Sequence, residues 1–327
     1  MGGGGRRLAG GVVNLAVAFV EQVAHVALMA AAAPTLIGII RWMEARLAGQ
    51  VGPPVLQPWQ DLARLLRKQP VMAESASEVS AIAPLLSLAA VAIVAVMVPS
   101  FTLGMTLAPF ADLLVIAGLL SLARCSIALA GMDAGTALGG MGASRIMAFG
   151  VLSEPALVLA IFALGLLAGS SNLDVIAAMQ QESGAGWQTG AGLALIATVL
   201  VAIVDGLNGP AARLELAMRR EATTLEFSGR DLAVIDATEA LRRLVWFDLV
   251  IAMFVPFGIA AAGAGVAALL LGFACWVAKL LVLAGVLALL HTTMGRARLE
   301  HVTHVLGVAI LLGLLAVVFL FASAGTV

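Results

Sequence analysis

The sequence predicts an all-α integral membrane protein with about eight transmembrane helices and structured cytoplasmic loops. Hydrophobic residues make up 62% of its 327 residues and charged residues only 11%, whereas soluble domains carry about 25% charged residues. The apolar residues are concentrated in runs of about 20, the length that crosses a bilayer as a helix. No segment between these runs is long enough for a soluble domain, so we expect one polytopic domain over residues 1–327.

The predicted transmembrane helices follow one another along the whole chain. The first run is the longest, and we expect its helix to begin in the membrane interface or to tilt. Two arginines before this run resemble the start of a signal peptide, but Glu21 and His25 interrupt it, so we expect no cleavage. The eight predicted spans cover residues 17–40, 79–99, 109–131, 146–169, 190–208, 244–262, 266–290 and 303–323.

Residues 41–68 form the most distinctive segment outside the spans, a basic loop with several prolines. Apolar residues recur in it at helical spacing, namely Trp59, Leu62, Ala63 and Leu66. The other face carries Asp61, Arg64, Arg67 and Lys68. Pro58 suits a first helical turn, where its missing N–H costs nothing. The pattern predicts an amphipathic helix lying in the membrane interface, and the alternative is a solvated basic loop.

The basic residues of the loops are concentrated in alternate loops, and the exceptions, Arg6 and Arg7 at the N-terminus, do not outweigh this pattern. Loops 41–78 and 209–243 hold most of them, Arg145 precedes the fourth span, and Arg296 and Arg298 follow the seventh. The other loops have none, near residues 100–108, 170–189 and 263–265. By the positive-inside rule the basic loops are cytoplasmic and both termini face outward. This asymmetry predicts a docking platform for cytoplasmic partners, or it is the ordinary charge bias of a multi-pass protein.

The composition argues against several function classes. The formal net charge of −1 gives no basic excess that would indicate nucleic acid as a partner. The two cysteines, Cys125 and Cys275, are far apart, and no Cys/His spacing typical of a metal site occurs. We therefore expect no metal and no cofactor in this chain, and any iron–sulfur or haem chemistry would belong to a partner.

Several ionisable residues lie within the apolar spans. A charged side chain there costs free energy, so such residues are candidates for a functional role. They are Glu154, Asp205, Asp248 and Lys279, with Asp112 and Arg124 nearer the ends of the third span. A chain of such groups with water can exchange protons, so we predict a proton or redox-coupling role. The alternative is a static ion pair that fixes helix packing, in which Lys279 pairs with one of the acids.

Five stretches together resemble a known family. They are RLAGQVGPPVLQPWQDLARLLRK (46–68), GMDAGTALGGMGASRIMAFGVLSEP (131–155), LEFSGRDLA (225–233), VPFG (255–258) and AKLLVLAGVLALLHTTMGRARLE (278–300). They resemble the membrane subunit shared by respiratory complex I and the energy-converting nickel–iron hydrogenases, and the wording is most similar to the hydrogenase-4 and formate hydrogenlyase branch. The resemblance covers residues 30–323 in order, with the same eight spans.

This resemblance implies a membrane anchor and proton-path subunit in the cell inner membrane. The implied partners are an iron–sulfur electron-transfer subunit, hydrogenase large and small subunits and antiporter-like membrane subunits. The iron–sulfur clusters and the nickel–iron centre would lie in those partners. The docking residues would be Arg46, Gln57, Asp61, Arg64, Arg67, Lys68 and Arg145. The candidates for the proton path would be Glu154, Asp205, Glu215, Asp248, Lys279 and Asp133.

The loop after the fifth span departs from the family pattern. The family shows a Glu, a Leu-Pro-Phe-Asp segment and a run rich in Glu, whereas this chain reads VDGLNGPAARLELAMRREATTLEF at residues 204–227. Glu215 matches one acid, but three arginines stand where acids are expected, Arg213, Arg219 and Arg220. Arginine stays charged and does not exchange protons, which argues against coupling through this loop. His291 also takes a place where close relatives often have an acid.

Two alternative functions follow. The equivalent subunit of an NADH–quinone oxidoreductase would have the same architecture with quinone as substrate. A scaffold subunit that has lost coupling would explain why the loop after the fifth span departs from the family pattern. A freestanding transporter is disfavoured, because the sequence has no repeat pair or broken-helix pattern that indicates a substrate site.

Overall fold

The computed structural model describes residues 4–73, 75–182, 189–206, 223–261, 265–294 and 299–324. These ranges are almost entirely helical, and their β-pairing is limited to two isolated bridges, Thr102 with Ala260 and Asp112 with Asn172. The helices are α1 (Gly4–Leu47), α2 (Gln57–Leu66), α3 (Glu78–Met97), α4 (Leu113–Asp133), α5 (Ala137–Ala168), α6 (Leu173–Glu182), α7 (Thr189–Gly206), α8 (Gly229–Phe254), α9 (Val266–Met294) and α10 (Leu299–Ala324).

Six helices in the described ranges are long and apolar enough to cross a bilayer. They are α1 from Phe19 onward, α3, α4, α5, α9 and α10. Helix α7 has a shorter apolar run, Gly192–Ile203, and α8 carries four charged residues between positions 239 and 248. The predicted all-α membrane class is therefore confirmed, while the predicted number of eight is approximate.

Several helix boundaries differ from the hydropathy-based prediction. Helix α5 begins at Ala137 rather than near 146, because the Thr136 hydroxyl accepts a hydrogen bond of 3.0 Å from the Gly139 N–H and caps the helix. Helix α8 runs from Gly229 to Phe254, whereas residues 244–262 were predicted. Its early end follows from Pro256, since the residue before a proline disfavours helical geometry. Caps and prolines, rather than hydropathy, set these ends.

Helix α8 lies at the centre of the molecule and contacts α1, α2, α3, α6, α7 and α9. Its second half is buried, and Leu244, Val245 and Ala252 are each 0% exposed. Around it, α3 packs on α4, α4 on α5, and α10 against both α5 and α7. Helices α9 and α10 keep broad apolar faces exposed, including Leu270, Val282 and Leu311 at 64–65%, as expected for helices that face lipid or another membrane subunit.

The loop after α1 folds back along that helix. Gly38 on α1 lies so close to the Val55 carbonyl that a β-carbon there would overlap it. This close approach places α2 against the side of α1, where the Trp59 indole N–H donates a 3.1 Å hydrogen bond to the Thr35 hydroxyl. The glycine thus permits the packing that positions α2.

The end of the molecule away from the basic loops is closed by backbone hydrogen bonds between loops. The Leu103 N–H donates to the Ala260 carbonyl at 2.9 Å, and the Leu173 N–H donates to the Ala111 carbonyl at 2.8 Å. Asp174 accepts a 2.7 Å bond from the Gly104 N–H. Burial raises the pKa of the Asp174 carboxyl, and the Gly104 hydrogen bond acts in the opposite direction.

Candidate functional site

The basic segments predicted to lie on one side of the membrane meet at one end of the molecule. We call this end the basic face, comprising residues 41–73, 75–77, 132–137, 223–231 and 291–294. The Val71 N–H donates to the Ser228 hydroxyl at 2.8 Å, and the Arg230 Nε–H donates to the Leu66 carbonyl at 3.3 Å. The hydrogen bonds join segments more than 150 residues apart, so the loops form a connected surface.

Asp133 joins two helices within this surface. Its carboxylate accepts hydrogen bonds from both the N–H and the hydroxyl of Ser77 and of Ser80, at 2.6–3.3 Å. Ser77 is the N-cap of α3 and Asp133 is the last residue of α4. The predicted proton-path candidate Asp133 therefore fixes the end of α4 to the start of α3, with all four bonds directed at its carboxylate.

A cavity of about 230 Å³ opens at the basic face between α1, α2, α8 and the segment before α8. Its charged lining residues are Arg41, Asp61, Asp236, Glu239 and Arg243. Apolar parts of the wall come from α1 and α2, through Pro34, Ile37, Pro58 and Leu62. Polar cavities of this size hold water, so the arrangement can bring water and protons to carboxylates at the edge of the helix bundle.

Ion pairs hold the acids of the cavity in place. Glu239 accepts a 3.0 Å hydrogen bond from Arg242, and both side chains are only 11–13% exposed. Asp61 pairs with Arg64 at 2.6 Å across one helical turn of α2. Asp231, in the first turn of α8, lies nearby among the loops, and burial raises the pKa of its carboxyl.

Helix α2 is present as predicted, but Asp61 does not lie on the same exposed face as the basic residues, in contrast to what the pattern predicted. The helix packs on α8 and α1, and Asp61 and Leu62 are half-buried at the cavity. The outward face carries Trp59, Ala63 and Leu66 beside Gln60, Arg64 and Arg67. Tertiary packing thus splits the polar face of the pattern, with Asp61 turned inward and the arginines outward.

Most predicted docking residues are exposed at the basic face. Arg64, Arg67 and Lys68 are exposed on or after α2. Arg46 is exposed at the end of α1, with its guanidinium carbon 5.4 Å from the centre of the Trp42 ring. Gln57 and Arg145 are half-buried. The structure therefore places the cations of the first basic loop where a partner can reach them.

Glu154 lies on α5 among polar groups of α4. Its carboxylate accepts a 2.5 Å hydrogen bond from the Ser121 hydroxyl, and Arg124 Nη1 is 3.7 Å from the same oxygen. Arg124 donates a 2.7 Å hydrogen bond to the Ser153 hydroxyl. The cluster therefore gives Glu154 a cation and a hydroxyl within one helix pair.

Asp248 and Lys279 do not pair with each other. Asp248 is fully buried on α8 and accepts a 2.6 Å hydrogen bond from the Trp276 indole N–H. Its second oxygen, Oδ2, is buried and has no hydrogen-bond partner among the described protein groups. Lys279 donates to the Val255 carbonyl at 2.6 Å and to the Phe257 carbonyl. Sequence reasoning left the partner of Lys279 open, and the structure supplies backbone oxygens.

Two predicted residues cannot be placed. Asp205 lies in the last turn of α7, with its side chain outside the described part of the chain, and Glu215 lies outside the described residues. Among the described residues, no group of three or more His, Cys, Asp or Glu side chains is arranged to hold a metal ion.

A buried Glu–His pair was missed by the sequence analysis. Glu44 on α1 and His291 on α9 are hydrogen-bonded between Oε1 and Nδ1, with side chains 8% and 3% exposed. The residues are 247 positions apart. Glu44 is an acid between Arg41 and Arg46 at the end of the first apolar run, but no pattern in the sequence connects it to His291.

This architecture has known counterparts. The structure of the membrane-bound sulfane sulfur reductase, an archaeal respiratory membrane complex, matches with a TM-score of 0.76, covering 93% of this chain and 99% of that chain. At 19% identity this likeness concerns the fold. The family model described as NADH dehydrogenase matches residues 20–323. The chain belongs to the NADH dehydrogenase family.

Relatives of this NADH dehydrogenase-family chain are found in Escherichia coli (strain K12). Hydrogenase-4 component C is 30% identical over 292 residues, covering 88% of this chain and 90% of the relative. Formate hydrogenlyase subunit 4 is 30% identical over 275 residues, covering 83% and 88%. The resemblance noted from the motifs is confirmed, and the chain is a multi-pass membrane protein of this family.

Proposed function

We propose that this chain is the membrane anchor and proton-path subunit of an energy-converting nickel–iron hydrogenase complex of the hydrogenase-4 or formate hydrogenlyase type. The observation that carries the proposal is the charged cavity at the basic face, lined by Asp61, Asp236 and Glu239 with two arginines. The names of the two curated relatives support the choice of complex.

The basic face would dock the cytoplasmic arm of the complex. It combines exposed cations, Arg46, Arg64, Arg67 and Lys68, with exposed apolar side chains, Val51, Val71 and Leu225, at 71–92% exposure. Apolar residues with arginines are typical of protein interfaces. The partners would be the iron–sulfur subunit and the hydrogenase subunits, and they would hold the iron–sulfur clusters and the nickel–iron centre. Antiporter-like subunits would pack against the exposed membrane faces.

The proton path would begin in the cavity and continue through acids on the helices of the bundle. Glu239 in the cavity and Asp248 lie on the same helix, α8, nine residues apart, which is about 14 Å along a helix. Glu154, with Ser121 and Arg124, adds a carboxylate on the α4–α5 pair. A redox-linked change in charge at the docked arm would shift the protonation of these acids. In this proposal the basic face lies in the cytoplasm, and the membrane is the cell inner membrane.

The first experiment is purification of the tagged chain from native membranes in mild detergent. Co-purifying subunits would be identified, and nickel, iron and hydrogen evolution would be assayed. Nickel, iron and a hydrogenase large subunit would support the proposal. A nickel-free, flavin-containing complex with quinone-dependent activity would instead assign the chain to a quinone reductase, the second candidate, which is favoured by the family to which the chain belongs.

Glu154→Gln tests the proton path. Glutamine keeps the carbonyl that accepts the Ser121 hydrogen bond, but it cannot take up or release a proton. We expect assembly to remain intact and proton translocation in proteoliposomes to fall by about 10²-fold, the lower end of what a positioned proton-transfer group contributes.

The control is Glu78→Gln, at an exposed acid in the first turn of α3, which removes a carboxylate outside the path. Normal translocation in Glu154→Gln, with the control also normal, would remove Glu154 from the path.

A further inference from the structure

The buried pair of Glu44 and His291 lies outside the group of acids discussed above. Glu44 is in the last turn of α1, and His291 is near the end of α9. Their side chains are at least nine-tenths buried. Burying two ionisable groups is costly unless they compensate each other, so a structural role alone would be served at lower cost by an apolar contact between the two helices.

The hydrogen bond to Glu44 determines which nitrogen of the His291 imidazole is left to exchange a proton. When Glu44 is ionised its carboxylate can only accept, and the Nδ1 atom of His291 then carries the proton of this hydrogen bond. The other nitrogen, Nε2, is buried and has no hydrogen-bond partner among the described protein groups. In a neutral imidazole Nε2 is a free acceptor, and in the charged form it carries a second proton. The pair therefore has one unused proton position.

Glu44 follows a residue of the cavity wall by one helical turn, although neither Glu44 nor His291 itself lines the cavity. Arg41 lines the cavity and precedes Glu44 by three residues on α1, which is about one helical turn. Helix α9 has no charged residue between Lys279 and His291. The helices packed on α9 are α1 and α8. The charged groups that they carry at this end of the molecule are Arg41, Glu44 and Arg46 on α1, and Asp236, Glu239, Arg242 and Arg243 on α8.

We propose that Glu44 and His291 form a proton-holding pair that takes up and releases one proton at His291 Nε2. The Nδ1–H bond to Glu44 stays in place during the exchange. Uptake changes the formal charge of the pair from −1 to 0, and release restores it, with water in the cavity as the proton donor and acceptor. The inference rests on the proposed proton path, in which the pair would be an additional site.

The direct test is ¹⁵N NMR of the whole complex with histidine labelled. The chain has four histidines, and His291→Gln assigns the resonance. We expect Nδ1 of His291 to stay protonated while Nε2 gains a proton as the pH falls through the range of about 8 to 5 in which histidines titrate. A single protonation state over that range would overturn the proposal.

Two internal references accompany the titration. His304 is exposed on α10 and serves as the solvent-accessible reference. His25 is fully buried with both ring nitrogens hydrogen-bonded, to Ser100 and to the Ala95 carbonyl, at 2.8 Å each. If His291→Gln fails to assemble, Glu44→Gln assigns the resonance instead, because its amide oxygen still accepts a hydrogen bond from Nδ1.

The functional test compares proton translocation in proteoliposomes for His291→Gln, Glu44→Gln and the control His304→Gln. We expect a loss in the first two and none in the control, with hydrogen evolution from an artificial donor retained. Titration of His291 with unchanged translocation in His291→Gln would overturn its role in the path. A wild-type complex that moves no protons would overturn the proposed function, while the NMR titration would still decide whether the pair exchanges a proton.

Discussion

At the scale of single residues, Lys279 shows how a half-buried ammonium group can satisfy backbone carbonyls. Its ammonium group donates to the carbonyls of Val255 and Phe257, just beyond the end of α8. The last carbonyls of a helix lack intrahelical partners and carry partial negative charge. Lys279, on the neighbouring helix, satisfies the carbonyl of the C-cap residue Val255 and that of Phe257 two residues further on. Because these carbonyls accept hydrogen bonds from its ammonium group, Lys279 is stabilised without an ion pair to Asp248.

Lys279→Met should therefore lower stability more than it lowers coupling. Loss of charged hydrogen bonds to carbonyls costs about 1.5–3 kcal/mol each at most, and we expect a lower midpoint of thermal unfolding in detergent with normal proton translocation per turnover. Lys279→Arg, which keeps the charge, should lie between methionine and the wild type. Normal stability with lost translocation in Lys279→Met would place Lys279 in the path instead.

At the scale of helices, the approach of the first basic loop to α1 depends on Gly38. The Val55 carbonyl occupies the space that a β-carbon would need. Because the loop positions α2, and α2 supplies Asp61 and Leu62 to the cavity, one missing methyl group determines the shape of a site formed by three helices.

Gly38→Ala should displace the loop and α2. Overpacking costs about 1–3 kcal/mol, so we expect a lower unfolding midpoint and faster proteolysis between α1 and α2. Gly285→Ala is the matched control, because a β-carbon on α9 at that position meets no neighbour within 4 Å. Equal protease resistance in the two variants would show that the loop does not depend on this contact.

At the scale of the whole molecule, the basic face predicts the orientation in the membrane. Lys68 is exposed on this face, and Phe110, 64% exposed, lies at the opposite end. In intact cells a membrane-impermeant maleimide should label Phe110→Cys but not Lys68→Cys, and both should react after permeabilisation. The unsubstituted chain gives the background from Cys125 and Cys275, which are half-buried. The reverse labelling pattern would place the basic face outside.

Much of this architecture could be predicted from the sequence. The apolar runs predicted the helix order, and the spacing of Trp59 and Leu66 predicted α2. The direction in which Asp61 points could not be predicted, because it depends on which side of α2 packs on α8. The Glu44–His291 pair could not be predicted either, because helix periodicity carries no information on contacts between residues 247 positions apart.

The two anchors of α8 limit how this protein can respond to a charge. The loop before it is held through Ser228 to Val71, and the segment after it is held by Lys279. A helix tethered at both ends resists sliding along its axis. Changes that begin at the cavity would therefore be relayed by rotating side chains and reordered water, which is fast and reversible, and the scaffold would return to the same geometry after every cycle.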